Sequence, residues 1–376
     1  MIDNSIVPFL DTGEIVVKSP GRTCLFGDHQ DYLELPVIAC AIDRHITLRA
    51  KPNGEKRLFV DTPDIGGHRY IDIDRKGPVP RGDYFLAAMD ILEHYGCVPN
   101  QGYDITITGN IAINAGTSSS SAVIVSWIQF LVTAYGCSAT IDKEFISRIA
   151  YEAEVAFHGF PGGKMDQYSI GLGNVIYLET GDDLSYEVFD LDIPGLIVAE
   201  SGIPKETTGV LGELKEKALL AIHRVKEKVP GFDIKGLSIQ DFPQYVPYVN
   251  DGLRVYFEAA VRNHDITQRA LQAFRKPKID LEHIGKLMNE HHHILKDYLE
   301  ITLPLIDRMV DGANAAGALG AKIVGSGRGG SIVVLSKAGE QQKIIDALMQ
   351  AGARDAYAVH VDPGTHVVTA NQNKSK

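Results

Sequence analysis

Along this chain the spacing of apolar residues switches repeatedly between strand-like alternation and a helical period of about 3.6, and each switch predicts an element. Ile15, Val16 and Val17 open a strand. Residues 37–50 and 57–74 alternate, with Asp72 and Asp74 opposite in phase to Ile71 and Ile73, and residues 102–108 put Tyr103, Ile105 and Ile107 on one face. Helical spacing runs over 83–95 through Phe85, Met89 and Leu92, and again over the apolar stretch 122–135. Residues 142–158 predict an amphipathic helix with Phe145, Ile149, Ala153 and Ala156 inward and Glu152 and Glu154 on other faces. Strands at 174–178 and 196–200 are separated by an acidic, turn-rich stretch, 181–194, that predicts a domain boundary. The second half reads as helices at 206–229, 253–274, 281–299 and 305–319. Strands at 321–324 and 331–335, a helix at 341–351 and a strand at 357–369 close the chain.

Polar chemistry gathers where these elements meet. Gly159 to Gln167 form a Pro/Gly turn that delivers Asp166 onto the start of a short helix packed through Met165, Tyr168 and Leu172. A carboxylate there stays ionised, because the helix dipole and free N–H groups favour negative charge. Asp166 is therefore either a helix cap or a catalytic base. The first strand runs into a polar loop with Arg22, Asp28, His29 and Asp31, which is either a site for a polyhydroxylated ligand or a solvated loop with a local ion pair.

Gly116, Thr117, Ser118, Ser119, Ser120 and Ser121 lie just ahead of the apolar helix. Such a loop offers unpaired N–H groups and a positive dipole end to a phosphate, and its hydroxyls can add a magnesium ligand. A flexible linker is the alternative, and the Walker A pattern is absent. Glu154 could reach a metal from its helix, although exposed helical glutamates are common. The glycine-rich loop with Gly325, Gly327, Gly329 and Gly330 joins two strands and suits either a close backbone approach or a plain hairpin. His291, His292 and His293 are consecutive, so a helix splays them around its axis and no shared metal is expected.

The chain has 376 residues, 44% of them hydrophobic, enough for a large core and about two domains. A net charge of -11 argues against a nucleic-acid partner, so an anionic ligand would have to be held locally. Residues 1–12 show no signal-peptide pattern, the longest apolar stretch is too short to span a membrane, and Cys24, Cys40, Cys97 and Cys137 are scattered. A cytoplasmic protein is expected, with no membrane partner and the oligomeric state left open.

Three stretches, PGRTCLFGDHQDY (20–32), INAGTSSSSAV (113–123) and GSGRGG (325–330), together resemble the signature loops of the GHMP sugar and metabolite kinases. GGKMDQYSIGLG (162–173), AEVAFHG (153–159) and LMNEHHHILKDYLEITLPLID (287–307) are similar to segments of the galactokinase branch. The resemblance implies an α+β fold of two domains with the active site between them. Residues 1–190 would carry the serine loop and residues 191–376 would form a ferredoxin-like domain carrying the second glycine loop.

It also implies an ATP-dependent kinase acting on a sugar, at the anomeric hydroxyl. In that reading Asp166 accepts the hydroxyl proton and Arg22 pairs with it. Asp28, His29, Asp31 and Gly163 bind the sugar, the loop from Gly116 to Ser121 wraps the phosphates, and Ser120 or Ser121 with Glu154 holds Mg2+. A mevalonate-type alcohol, a uronic acid or pentose, and a silent sugar and ATP sensor are the competing readings. Asp28 stands where galactokinases usually carry Glu, Lys164 where an apolar residue is usual, and residues 202–216 lack the sugar-binding Tyr of that branch. A helix would turn Lys164 away from a ligand of Asp166, so a neutral galactose-related sugar is expected.

Overall fold

A computed structural model describes residues 13–205 and 208–369. The expectation for residues 1–12 and the expected helix start at Glu206 lie outside the described residues.

The strands are β1 (Ile15–Phe26), β2 (Val37–Pro52), β3 (Arg57–Thr62), β4 (Gly67–Asp72), β5 (Tyr103–Gly109), β6 (Val175–Glu179), β7 (Ser185–Phe189), β8 (Leu196–Glu200), β9 (Gly320–Val324), β10 (Ser331–Leu335), β11 (Asp355–Ala358) and β12 (His366–Val367). The helices are α1 (Tyr84–Glu93), α2 (Ser119–Tyr135), α3 (Lys143–Tyr151), α4 (Met165–Leu172), α5 (Thr208–Lys228), α6 (Phe242–Tyr245), α7 (Asp251–Phe274), α8 (Leu281–Asp297), α9 (Pro304–Ala315) and α10 (Gln341–Ala351).

Two sheets organise them. The larger has eight strands along the path β12-β1-β2-β5-β3-β4, with β6 and β7 branching from β2. The length of β2 allows this fork: residues 46–52 pair with β5 while residues 37–40 pair with β6. The smaller sheet has the order β11-β8-β10-β9, all neighbours antiparallel, which is the split βαβ arrangement of ferredoxin-like folds. After β11 the chain returns to the first sheet through an Ile42–Val361 bridge and β12. Helix α2 packs beneath the large sheet and buries Trp127 and Phe130 completely. A second core joins β1, β2 and β6 to the small sheet and to α7, α8 and α9, so the two sheets share packing and hold the loops between them.

Several elements differ from the sequence expectation. Residues 57–74 form a hairpin whose corner turns through the left-handed Gly66, which alternation alone does not reveal. The acidic stretch at 181–194 contains β7, because pairing with β6 overrides its weak apolar pattern. The expected strand at 357–369 is interrupted between β11 and β12. The helix expected over 142–158 stays α-helical only to Tyr151 and then widens into a π turn over Glu152–Ala156, closed by the Phe157 N–H on the Glu152 carbonyl at 2.8 Å. Single π turns are common at functional sites. Of the consecutive histidines, His291 and His292 are buried and His293 is exposed, as helical splay requires.

Candidate active site

The polar loop after β1, the serine loop before α2, the turn before α4 and the loop between β9 and β10 open onto one cleft of about 310 Å³. Four residues in these loops, His29, Asn114, Ser118 and Arg328, take left-handed backbone angles without being glycine (φ 63, 55, 59 and 49). Such conformations persist only where the surroundings enforce them, and they concentrate at ligand sites.

Asp166 sits in the first turn of α4, but Lys164 is the N-cap and Asp166 does not cap the helix. Its carboxylate reaches into the cleft instead. Arg22, aimed by β-bulges on either side of it in β1, places Nε and Nη2 each 2.7 Å from Asp166 Oδ1 and donates from Nη1 to the Gly116 carbonyl at 2.5 Å. The Ser118 hydroxyl donates to Asp166 Oδ2. Burial pushes the Asp166 carboxyl up, but Arg22, Ser118 and Lys205 outweigh it and hold the group below the usual carboxylate range. Asp166 is thus an ionised carboxylate fixed in position and open to the cleft.

Asp31 lies nearby with the opposite perturbation. Burial, then the negative charge of Asp166, push it from 3.8 up to about 6. Two neighbouring carboxylates with their titrations driven apart are a common arrangement in proton-transfer sites. Gly163 makes room for Asp31, since a Cβ there would lie 2.1 Å from Asp31 Oδ2. Gly116, at φ 90, has its would-be Cβ 3.0 Å from the Val324 carbonyl, so the serine loop rests against the end of β9.

The π turn brings Glu154 to the other side of the cleft. Gln167 Nε2 donates to Glu154 Oε2 at 2.7 Å, and the hydroxyls of Ser121 and Ser120 interact with the same carboxylate. Burial raises its affinity for a proton, with no lysine or arginine salt bridge to Glu154 among the described residues. Ser120 and Ser121 line the cleft, whereas Thr117 and Ser118 are buried behind it.

Asp28 and His29, expected among the sugar ligands, line the cleft but have their side-chain polar atoms engaged within the protein. Asp28 Oδ2 meets Lys322 Nζ at 2.5 Å and Oδ1 accepts from the Gly325 N–H at 2.7 Å. The His29 ring nitrogens lie 3.0 Å from the Tyr32 hydroxyl and 3.2 Å from the Ser326 carbonyl. Asp28 therefore ties the first loop to the glycine loop, and Gly325 and Ser326 complete the cleft from that side. Gly327 and Gly329 face Ile301, Ile203 and Pro204, and Gly330 backs onto Ala115. Lys164 does not line the cleft: its Nζ donates to the Gly181 carbonyl at 2.8 Å.

Sequence reasoning missed Lys322 and Lys205. A lysine inside the apolar run of β9 was a readable signal, because a buried cation demands an anionic partner. Nothing comparable marked Lys205.

Residues 83–174 match the family described as the GHMP kinases N terminal domain, 270–354 the GHMP kinases C terminal family, and 9–52 the galactokinase galactose-binding signature. The galactokinase of Thermotoga maritima is 26% identical over 342 residues, covering 89% of this chain and 93% of its own length. That of Thermococcus kodakarensis is 26% identical over 340 residues, covering 87% and 91%. Among solved structures, Lactococcus lactis galactokinase complexed with galactose superposes with a TM-score of 0.82 at 23% identity, over 94% of this chain and 95% of that one. The mevalonate kinase of Methanococcus jannaschii gives 0.70 at 19% identity, over 94% and 100%. On these matches the chain belongs to the GHMP kinases, in their galactokinase-like branch.

Proposed function

We propose that this protein transfers the γ-phosphoryl group of ATP to the anomeric hydroxyl of a galactose-like monosaccharide. The observation that carries the reading is the ionised Asp166 carboxylate, held by Arg22 and Ser118 at a cleft between the serine loop and the glycine loop. Galactokinase relatives covering most of the chain, and the galactose-binding signature, support the substrate class. The sugar hydroxyl loses its proton to Asp166 as its oxygen attacks phosphorus and the bond to the β-phosphate oxygen breaks. In phosphoryl transfer the protein mainly positions these groups in line and neutralises charge on the transferring oxygens. The N–H groups from Gly116 to Ser121 hold the phosphates, so an acidic protein needs no basic surface.

Glu154 with Ser120 or Ser121 fits magnesium. The donors are hard oxygens, and a single carboxylate suits an ion that keeps water and nucleotide phosphates as its other ligands. When bound, that ion neutralises phosphate charge. Glu154→Gln is expected to raise the magnesium concentration for half-maximal rate by about tenfold or more, without changing which sugar is used. A magnesium titration overlaying that of the wild type would remove Glu154 from the site.

Asp31 accepts from sugar hydroxyls, with Asp28 and His29 forming the floor and Gly163 leaving the space. Asp31 holds its proton up to a pH of about 6 in the folded protein instead of 3.8, so the folded form binds more protons between those values and this group lowers stability as pH rises through that window. A protonated Asp31 is a poorer acceptor. kcat/KM for the sugar is therefore expected to fall below pH about 6 and to lose that limb in Asp31→Asn. An unchanged limb in the variant would assign the titration elsewhere.

A mevalonate-type substrate would bring its carboxylate against Asp31 and Asp166. Lys164, turned to Gly181, offers no cation for a uronic acid. A coupled ADP-release assay across neutral sugars, uronic acids and mevalonate tests the function. Turnover of a galactose-like sugar is expected; release of ADP only with mevalonate or a uronic acid would overturn the substrate class, and none with any sugar would favour a sensor.

A further inference from the structure

Resting on that reading, we infer that Gln167 is a positioning residue for magnesium: its side-chain amide holds the Glu154 carboxylate in the orientation from which it takes the ion. Gln167 follows Asp166 directly in the first turn of α4, so the two side chains leave the helix about 100° apart. Asp166 turns to Arg22 and Ser118. Gln167 turns to the π turn, where its Nε2 donates to Glu154 Oε2 at 2.7 Å. Two consecutive residues of one helix thereby set the proton acceptor and the metal-type carboxylate relative to each other.

Three donors reach the Glu154 carboxylate: the Gln167 amide and the hydroxyls of Ser121 and Ser120. The hydroxyls rotate, and one of them would turn its oxygen to the ion. Gln167 is buried, and its Oε1 accepts from no described residue, so the bond to Glu154 alone sets how the amide is turned. The type of donor matters as much as its place. Asp166, which must stay ionised to take a proton, is held by the cation of Arg22. Glu154 is held by a neutral amide, which fixes the carboxylate without placing a positive charge where it would repel the metal. A side chain that hydrogen-bonds a ligating carboxylate commonly accounts for about tenfold to a hundredfold in metal affinity, because it removes the ligand's freedom to swing away.

Calorimetric titration with a non-hydrolysable ATP analogue, once with magnesium and once with EDTA, tests this without turnover. Affinity in EDTA is expected to agree within about twofold between wild type and Gln167→Met, because the N–H groups of the phosphate loop are unchanged. The gain in affinity that magnesium brings should shrink about tenfold or more in Gln167→Met. Adding Gln167→Met to Glu154→Gln should cost little beyond Glu154→Gln alone, because Gln167 acts through that carboxylate. Turnover of Gln167→Met should recover as magnesium is raised, with KM for the sugar little changed. A magnesium gain in Gln167→Met equal to that of the wild type, or losses that multiply in the double variant, would overturn the assignment. An undiminished gain in Glu154→Gln would overturn it together with the metal site. Wild-type protein that binds the analogue but phosphorylates no sugar would overturn the proposed substrate while leaving the magnesium comparison to decide Gln167. Unchanged thermal unfolding separates lost affinity from misfolding, and Gln167→Leu, which also cannot donate, replaces Gln167→Met if the latter does not fold.

Discussion

Asp166→Asn is expected to lower kcat by more than about a hundredfold while nucleotide affinity changes little. Asparagine keeps the shape of aspartate and can still accept from Arg22, but it cannot take the hydroxyl proton. The phosphate loop keeps its anchor, since the Gly116 carbonyl retains its bond from Arg22 Nη1 and the Ser118 hydroxyl can still bond to the carboxamide. Arg22 is only 2% exposed and loses its anionic partner, so some destabilisation accompanies the change, and it should be measured alongside turnover. Steady-state kinetics with ATP binding on the same preparation decide the matter. Turnover near the wild-type rate would show that Asp166 is not the proton acceptor.

Lys322→Met should cost about 3–5 kcal/mol of folding stability, the usual range when one partner of a buried ion pair is removed. Lys322 and Asp28 are 0% and 1% exposed, and the methionine would leave the buried carboxylate with no cation while the Gly325 N–H remains. Asp28 would then have to gain a proton or draw in water, loosening the loop at 325–330 against the first loop. Adding Asp28→Asn to Lys322→Met should restore part of the loss, because the stranded charge is gone; the double mutant separates the pair from packing effects. Denaturant unfolding that places Lys322→Met within about 1 kcal/mol of wild type would mean that the pair does not tie the loops together.

How much of this was readable beforehand depends on the range of each interaction. Asp166 was legible because a Pro/Gly turn and a packed helix start lie within one short stretch. Its pairing with Arg22 joins residues 144 positions apart, so only the family resemblance indicated it. The elements around the site were legible from period: α2, α4, β9 and β10 fall close to their expected places. The π turn at Glu152–Ala156 was not, because one widened turn shifts the helical phase too little to show against an amphipathic pattern. Asp28 was visible as a site residue but not as a link to Lys322, since composition does not say which of several acids a buried lysine takes. Lys205 carried no signal: SGIPK looks like an ordinary turn until the loops on either side of it are placed.

The most direct test of the account is the position of phosphate in the product. Purified product from ATP and galactose should show, by 31P and 1H magnetic resonance, phosphorus coupled to the anomeric proton, and Asp166→Asn should form it more than about a hundredfold more slowly. Phosphate on any other hydroxyl, or the same product from the variant at the wild-type rate, would contradict it.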